Sequence, residues 1–286
     1  MLTARLHTVQ WLSPMGLKKL AYREWGEPDN PHVLLCVHGL TRSSQDFEHM
    51  GQTLGKRLRV VAADMPGRGG SDWLGNGALY AVPNYVAACV ALVARLNPGT
   101  LDWFGTSMGG LIGMGYASLP DNPVRKLILN DVGPSLNFEA LSRIGQYVGK
   151  SPVFADLETA RAAIKAISLP FGPHTETEWN TLCDSVLVQT EGGWTTHYDP
   201  LIGATFQGLT PDTVAASEGM LWAAYSQIRA QTLVVRGEQS DLLSRATCQR
   251  MSTEGPKAQL KEIPGVGHAP TFMHADQIRI VEDFLF

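Results

Sequence analysis

Residues 101–110 read Leu-Asp-Trp-Phe-Gly-Thr-Ser-Met-Gly-Gly. The apolar run Leu101 to Phe104 predicts a buried strand. Met108 to Leu119 predicts a helix, and Gly105-Thr106-Ser107-Met108-Gly109 joins the two. A serine on so tight a strand-to-helix turn needs small residues two positions away on either side. In return its Oγ stands above the carboxyl edge of a sheet. The turn also sets the Met108 N–H at a helix start, where unpaired donors and the helix dipole favour negative charge. Ser107 is therefore the candidate nucleophile.

The sequence around this turn alternates short apolar runs with helical stripes. Leu6 to Trp11 and Leu17 to Trp25 read as a hairpin. Val33 to Val37 is a continuous apolar run, as expected of a strand covered on both faces of a parallel sheet. Leu58 to Ala63 is a further strand. Pro83 opens a helix carrying Val86, Cys89, Val90, Val93 and Leu96, stopped at Asn97-Pro98-Gly99. Leu127 to Leu129 is again a strand. This pace implies right-handed crossovers and a mostly parallel sheet. From about Pro134 to Ser217 the rhythm changes to helical stripes without buried strands. It resumes with Thr232 to Val235, a helix near Arg245 to Met251, a strand near Leu260 to Ile263 and a last helix bearing Ile278 and Val281. The expected organisation is an α/β core in two parts, 1–133 and 218–286, with a helical cap over 134–217.

Composition narrows the function. The chain has 286 residues, 44% of them hydrophobic, and 23 Lys+Arg against 27 Asp+Glu give a net charge of −4. A nucleic-acid partner would leave a basic footprint, and a disordered chain would be poorer in apolar residues. No window approaches the roughly 20 apolar residues of a membrane span. No secretory leader is read at the start. The cysteines, Cys36, Cys89, Cys183 and Cys248, form no C-x-x-C pair, so a cytoplasmic protein with free thiols is expected, with no metal site. No H-E-x-x-H and no P-loop occurs, and the glycine-rich stretch Asp64 to Asp72 fails the dinucleotide fingerprint at Asp72. No cofactor is expected. A monomer and a homodimer are both compatible with the sequence.

Candidate partners for Ser107 follow from their places after predicted strands. His268, in Pro264-Gly265-Val266-Gly267-His268-Ala269-Pro270, lies between the last strand and the last helix and is the expected base. His38 ends a strand too, but reads better as a loop anchor. The third group should be a carboxylate that holds the imidazole in one tautomer. Asp241 follows the strand ending near Arg236 and is preferred. Asp131, in Asn130-Asp131-Val132-Gly133-Pro134, and Glu238 are its rivals. After His38-Gly39, the Leu40 N–H is the expected second donor, with that of Met108, for an oxyanion.

These motifs resemble the α/β-hydrolase superfamily across essentially the whole chain outside the insertion. They are His38-Gly39, Asp64 to Asp72, Gly105 to Gly110, Asp241 and Gly267-His268, in the family's order. The resemblance implies an eight-stranded sheet, a Ser107–Asp241–His268 triad and a helical cap. Serine at 107 sets aside the branches with an aspartate nucleophile, the haloalkane dehalogenases and epoxide hydrolases. Within the superfamily the chain looks most like bacterial carboxylesterases and carbon–carbon bond hydrolases. The expected activity is cleavage of small to medium or polyester-type carboxylic esters through an acyl-enzyme. The alternatives are a carbon–carbon bond hydrolase or lactonase using the same groups, and a non-enzymatic receptor on the same fold. Arg42 and Trp194 are the candidate substrate-binding residues. An insertion rich in aromatic residues, among them Trp179, Trp194, Phe154, Phe171 and Tyr198, suits an apolar pocket.

Overall fold

A computed structural model describes residues 2–286. The strands β1 (Arg5–Ser13) and β2 (Gly16–Trp25) form the expected antiparallel hairpin. Then come β3 (His32–Val37), α1 (Glu48–Leu54), β4 (Arg59–Ala63), α2 (Val82–Leu96), β5 (Thr100–Thr106), α3 (Met108–Ala117) and β6 (Val124–Asn130). The region after β6 holds α4 (Phe138–Gly145), α5 (Leu157–Ser168), α6 (Glu176–Asp184), β7 (Leu187–Thr190), β8 (Gly193–Thr196) and α7 (Pro211–Gln227). The chain closes with β9 (Gln231–Gly237), α8 (Arg245–Met251), β10 (Gln259–Ile263) and α9 (Ala275–Leu285).

Eight strands form one sheet in the order β1-β2-β4-β3-β5-β6-β9-β10. All neighbours from β4 to β10 pair in parallel, and β2 runs antiparallel to both β1 and β4. The period-2 alternation of a strand divides the core into two layers. Val33, Leu35 and Val37 of β3 face one way, into the layer that also holds the buried sides of α2, α3, α7 and α8. Leu34 and Cys36 face the other way, with α1 and α9. The central strands β3 and β4 are apolar on both faces because both faces are covered. All four cysteines are buried and unpaired.

The region after β6 contains a hairpin that helical periodicity does not reveal. β7 and β8 pair antiparallel, with Thr190 opposite Gly193 across Glu191-Gly192. Two-residue hairpin loops favour glycine, and Trp194-Thr195-Thr196 is a strand-forming run, so the signal was present. The hairpin packs with α5 and α6 around Ala160, Ile164, Cys183 and Val186. A second small cluster sets Trp179 and Leu182 of α6 against Met273, which lies five residues beyond His268. The inserted region is thereby seated on the loop that carries that histidine. Its last helix, α7, runs ten residues past position 217 without a break.

Candidate active site

Ser107 is the hinge between β5 and α3, and its backbone takes φ +52° and ψ −115°. A non-glycine residue holds this conformation only where its surroundings over-determine it. They do so here through close backbone approach. A Cβ on Gly105 would stand 2.2 Å from the Gly109 carbonyl oxygen, and one on Gly109 would stand 2.0 Å from that of Val37. The glycines flanking Ser107 are thus steric requirements of the turn.

Strand order brings the remaining groups together. β3 and β6 flank β5, so the segments leaving their carboxyl ends sit on either side of Ser107. His268 Nε2 lies 2.9 Å from Ser107 Oγ, and its Nδ1 lies 2.7 Å from Asp131 Oδ2. An ionised carboxylate only accepts, so Nδ1 carries the proton and Nε2 is free to accept from the serine hydroxyl. The loop bearing His268 is tied down at three points. Gly267 N–H donates to Pro170 O at 2.7 Å. Asn130 Nδ2 donates to Pro270 O at 2.8 Å, and His174 Nε2 lies 2.9 Å from Thr271 Oγ1.

The carboxylate beside His268 is Asp131, which corrects the preference for Asp241. Asp131 directly follows β6 and is fully buried, with φ +55°. Its Oδ1 accepts the Gly237 N–H at 2.9 Å, and its Oδ2 accepts the Ser240 hydroxyl at 2.7 Å as well as His268. Asp241 lies four residues past the end of β9. Its carboxylate is about half exposed and takes two N–H groups from Arg143 at 2.6 and 3.2 Å. Glu238 faces outward and accepts the Gly265 N–H. The last residue of β9 and the turn after it therefore lend a backbone N–H and a serine hydroxyl to the acid that follows the neighbouring strand β6.

Leu40 follows β3 on the other side of Ser107, and Met108 is the first residue of α3. The Met108 N–H is one of the helix-start donors with no acceptor inside the helix. Arg68, fully buried, ties the two residues to each other. Its Nε donates to Leu40 O at 2.8 Å, and its Nη2 lies 3.4 Å from Met108 Sδ. Nη1 is held by Pro66 O and Tyr85 Oη. The sequence reading found in Asp64 to Asp72 a family motif that is no dinucleotide fingerprint, and missed this role of its arginine. His38 is buried between the Gly39 carbonyl, 2.7 Å from its Nδ1, and the Met65 N–H, which donates to Nε2 at 2.9 Å. It anchors the loop, as expected. Burial pushes its pKa down to about 4, so it stays neutral.

A cavity of about 500 Å³ opens over Ser107 and His268. Leu40 and Thr41 line it from the core, and Ile144, Tyr147, Ile164 and Phe171 line it from the inserted region. Its walls are mainly apolar, with no Asp or Glu among them. Of the two proposed substrate contacts, Arg42 lines the cavity, but its guanidinium is tied to both oxygens of Asp46 and to Ser185 Oγ. Trp194 does not line it. Its backbone pairs with Phe154, and its ring packs on the cluster around Ala160 and Ile164. The neighbours Thr196 and Tyr198 reach the cavity instead. Among the described residues no cluster suited to a metal ion is found, and no helix is long and apolar enough to cross a membrane.

Comparison with known proteins gives the family and agrees with the fold. A sequence model of the alpha/beta hydrolase family matches residues 34–280. The chain is 48% identical to a 3-hydroxybutyrate-oligomer hydrolase of Cupriavidus necator, over 98% of this chain and 97% of that one. It is 28% identical to a 2-(acetamidomethylene)succinate hydrolase of Mesorhizobium japonicum, over 82% of this chain and 81% of the relative. Among solved structures, a protein from Rickettsia typhi superposes with a TM-score of 0.88 at 32% identity, over 98% of both chains.

Proposed function

The chain belongs to the alpha/beta hydrolase family, and from that premise we propose that it is a serine hydrolase of carboxylic esters whose substrates are short linear oligoesters of 3-hydroxybutyrate. One observation carries the reading: the continuous hydrogen-bonded line Ser107 Oγ–His268–Asp131, opening into a mainly apolar cavity. Likeness to the oligomer hydrolase at 48% identity, nearly end to end, supports the substrate class.

Each group then has a role. Ser107 Oγ attacks the ester carbonyl while His268 Nε2 takes its proton. The carbonyl oxygen becomes an oxyanion held by the Leu40 and Met108 N–H groups, each such donor being worth roughly 3–4 kcal/mol in comparable sites. The carbon–oxygen bond to the leaving alcohol breaks, and His268 returns the proton to that oxygen. Water, deprotonated by His268, cleaves the acyl-enzyme and regenerates Ser107. Asp131 holds the imidazole in its reactive tautomer and offsets the charge it acquires. The inserted region acts as a cap that supplies the cavity roof. No step requires a cofactor. Four unpaired buried cysteines support a cytoplasmic site of action.

The test combines short 3-hydroxybutyrate oligomers, a short-chain aryl ester and a serine-directed phosphonate, with the labelled peptide read by mass spectrometry. Turnover of both ester types, label on Ser107, and loss of both in a folded Ser107→Ala variant are expected. Label on Ser107 without turnover of either ester would favour the carbon–carbon bond hydrolase, which uses the same three groups. Oligomer turnover retained in folded Ser107→Ala would overturn the assignment.

A further inference from the structure

We propose that Lys150 receives the free carboxylate of the substrate, so that the cavity selects carboxylate-terminated chains and releases the carboxylate-bearing fragment first. This rests on the oligoester reading above and adds to it a recognition residue and a direction.

The charge of the cavity wall opposes that of the molecule. The chain carries a net −4, yet the wall holds three cations, Arg42, Arg143 and Lys150, and no carboxylate. Such a lining favours an anionic ligand. Two of the cations are already committed. Arg42 is tied to Asp46 and Ser185, with its shortest contact at 2.6 Å, and Arg143 spends two N–H groups on Asp241. Lys150 makes neither an ion pair nor a side-chain hydrogen bond among the described residues, and it is exposed to solvent. Its backbone is held in place, its N–H donating at 3.2 Å to the carbonyl of Tyr147, which lines the same cavity. An ammonium on a flexible stem with no internal partner is available to an incoming carboxylate.

The chemistry of a hydroxy-acid oligoester then assigns direction. At every ester bond of such a chain, the acyl side leads to the hydroxyl terminus and the alcohol side leads to the carboxyl terminus. A carboxylate held at Lys150 therefore belongs to the leaving segment. When Ser107 attacks, the bond from carbonyl carbon to ester oxygen breaks. The ester oxygen takes the proton from His268, and the segment departs as a free hydroxy acid. The hydroxyl-terminated segment remains as the acyl-enzyme until water releases it.

The experiment compares kcat/KM for a 3-hydroxybutyrate trimer ending in a free carboxylate with the same trimer ending in a carboxamide, at low salt. Wild-type enzyme is expected to prefer the free acid about tenfold, the size of one charge-assisted hydrogen bond. The preference should reside in KM and weaken as salt is added. Lys150→Gln should bring the ratio of the two substrates close to one, and Lys150→Arg should restore most of it. Equal rates on the two trimers in wild type, or a preference that persists in Lys150→Gln, would overturn the inference while leaving the oligoester reading intact. Failure to cleave either trimer, with an aryl ester still turned over, would remove the oligoester reading and this inference with it.

Discussion

His268 Nδ1 and Asp131 Oδ2 stand 2.7 Å apart although 137 residues separate them in the chain. The contact exists because β6, which ends one residue before Asp131, lies beside β5 and β9 at the carboxyl edge of the sheet. Asp131 is fully buried, so its carboxylate depends on the donors around it. Ser240 Oγ is one of three. Ser240→Ala leaves that lone pair without a partner and should cost about 2 kcal/mol of stability, the scale of a hydrogen bond to a charged group. Ester turnover should fall with it, by about tenfold. Denaturant unfolding and steady-state rates read the two effects, and a variant unchanged in both would show that the Ser240 hydroxyl does not support Asp131.

The serine turn tolerates no added atom at Gly109. A Cβ there meets the Val37 carbonyl oxygen at 2.0 Å, and a backbone atom cannot swing aside. Gly109→Ala should destabilise the fold by about 3 kcal/mol and lower kcat by two orders of magnitude or more, since the clash is relieved only by moving α3 away from β3. Gly219 is the control: it is exposed in α7, and a Cβ added to it would have nothing within 4 Å. Gly219→Ala should stabilise by roughly 0.5–1 kcal/mol through helix propensity. Thermal melts of the two variants moving in the same direction would contradict this account.

His38 makes stability depend on pH. Burial lowers its pKa to about 4, against about 6.5 for a free histidine. Between those values the unfolded chain binds a proton that the folded chain excludes. The contribution of His38 is therefore fully present above pH 6.5 and is lost as pH falls toward 4, by on the order of 3 kcal/mol across the window. Histidine NMR should show the His38 imidazole still neutral at pH 5. A titration midpoint near 6.5 would mean that the Gly39–His38–Met65 anchor is open to water.

Much of the core was legible because each signal was local. The apolar runs at Val33 to Val37 and Leu101 to Phe104, and the glycines around Ser107, are short-range requirements of buried strands and a tight turn. The eight-stranded sheet of the hydrolase fold is present as the resemblance implied. His268 was found by its place after the last strand. The acid was not, because chain order cannot separate two aspartates that both precede His268 and both follow sheet strands. What separates them is distance from the strand end. Asp131 leaves β6 at once, whereas Asp241 is carried four residues beyond β9 by a turn wrapped around Arg236, which holds the carbonyls of Glu238, Ser240 and Leu243. Trp194 was misplaced for a related reason. A helical reading of the inserted region hid the β7–β8 hairpin, and with it the direction in which that ring packs. Arg68 and Lys150 carried no local signal, since their importance lies in what the fold brings beside them.

The most direct test of the site is a comparison of Asp131→Asn with Asp241→Asn on a short-chain aryl ester. Asparagine keeps the shape of each side chain. At position 131 it can donate to His268 and so stabilise the wrong tautomer. Asp131→Asn should then lower kcat by about ten-thousandfold in a folded protein, as the same exchange does in comparable triads. Asp241→Asn should stay within about threefold of wild type, because its carboxylate meets only Arg143 at the surface. The reverse pattern, with Asp241→Asn inactive and Asp131→Asn close to wild type, would contradict the assignment of Asp131 as the partner of His268.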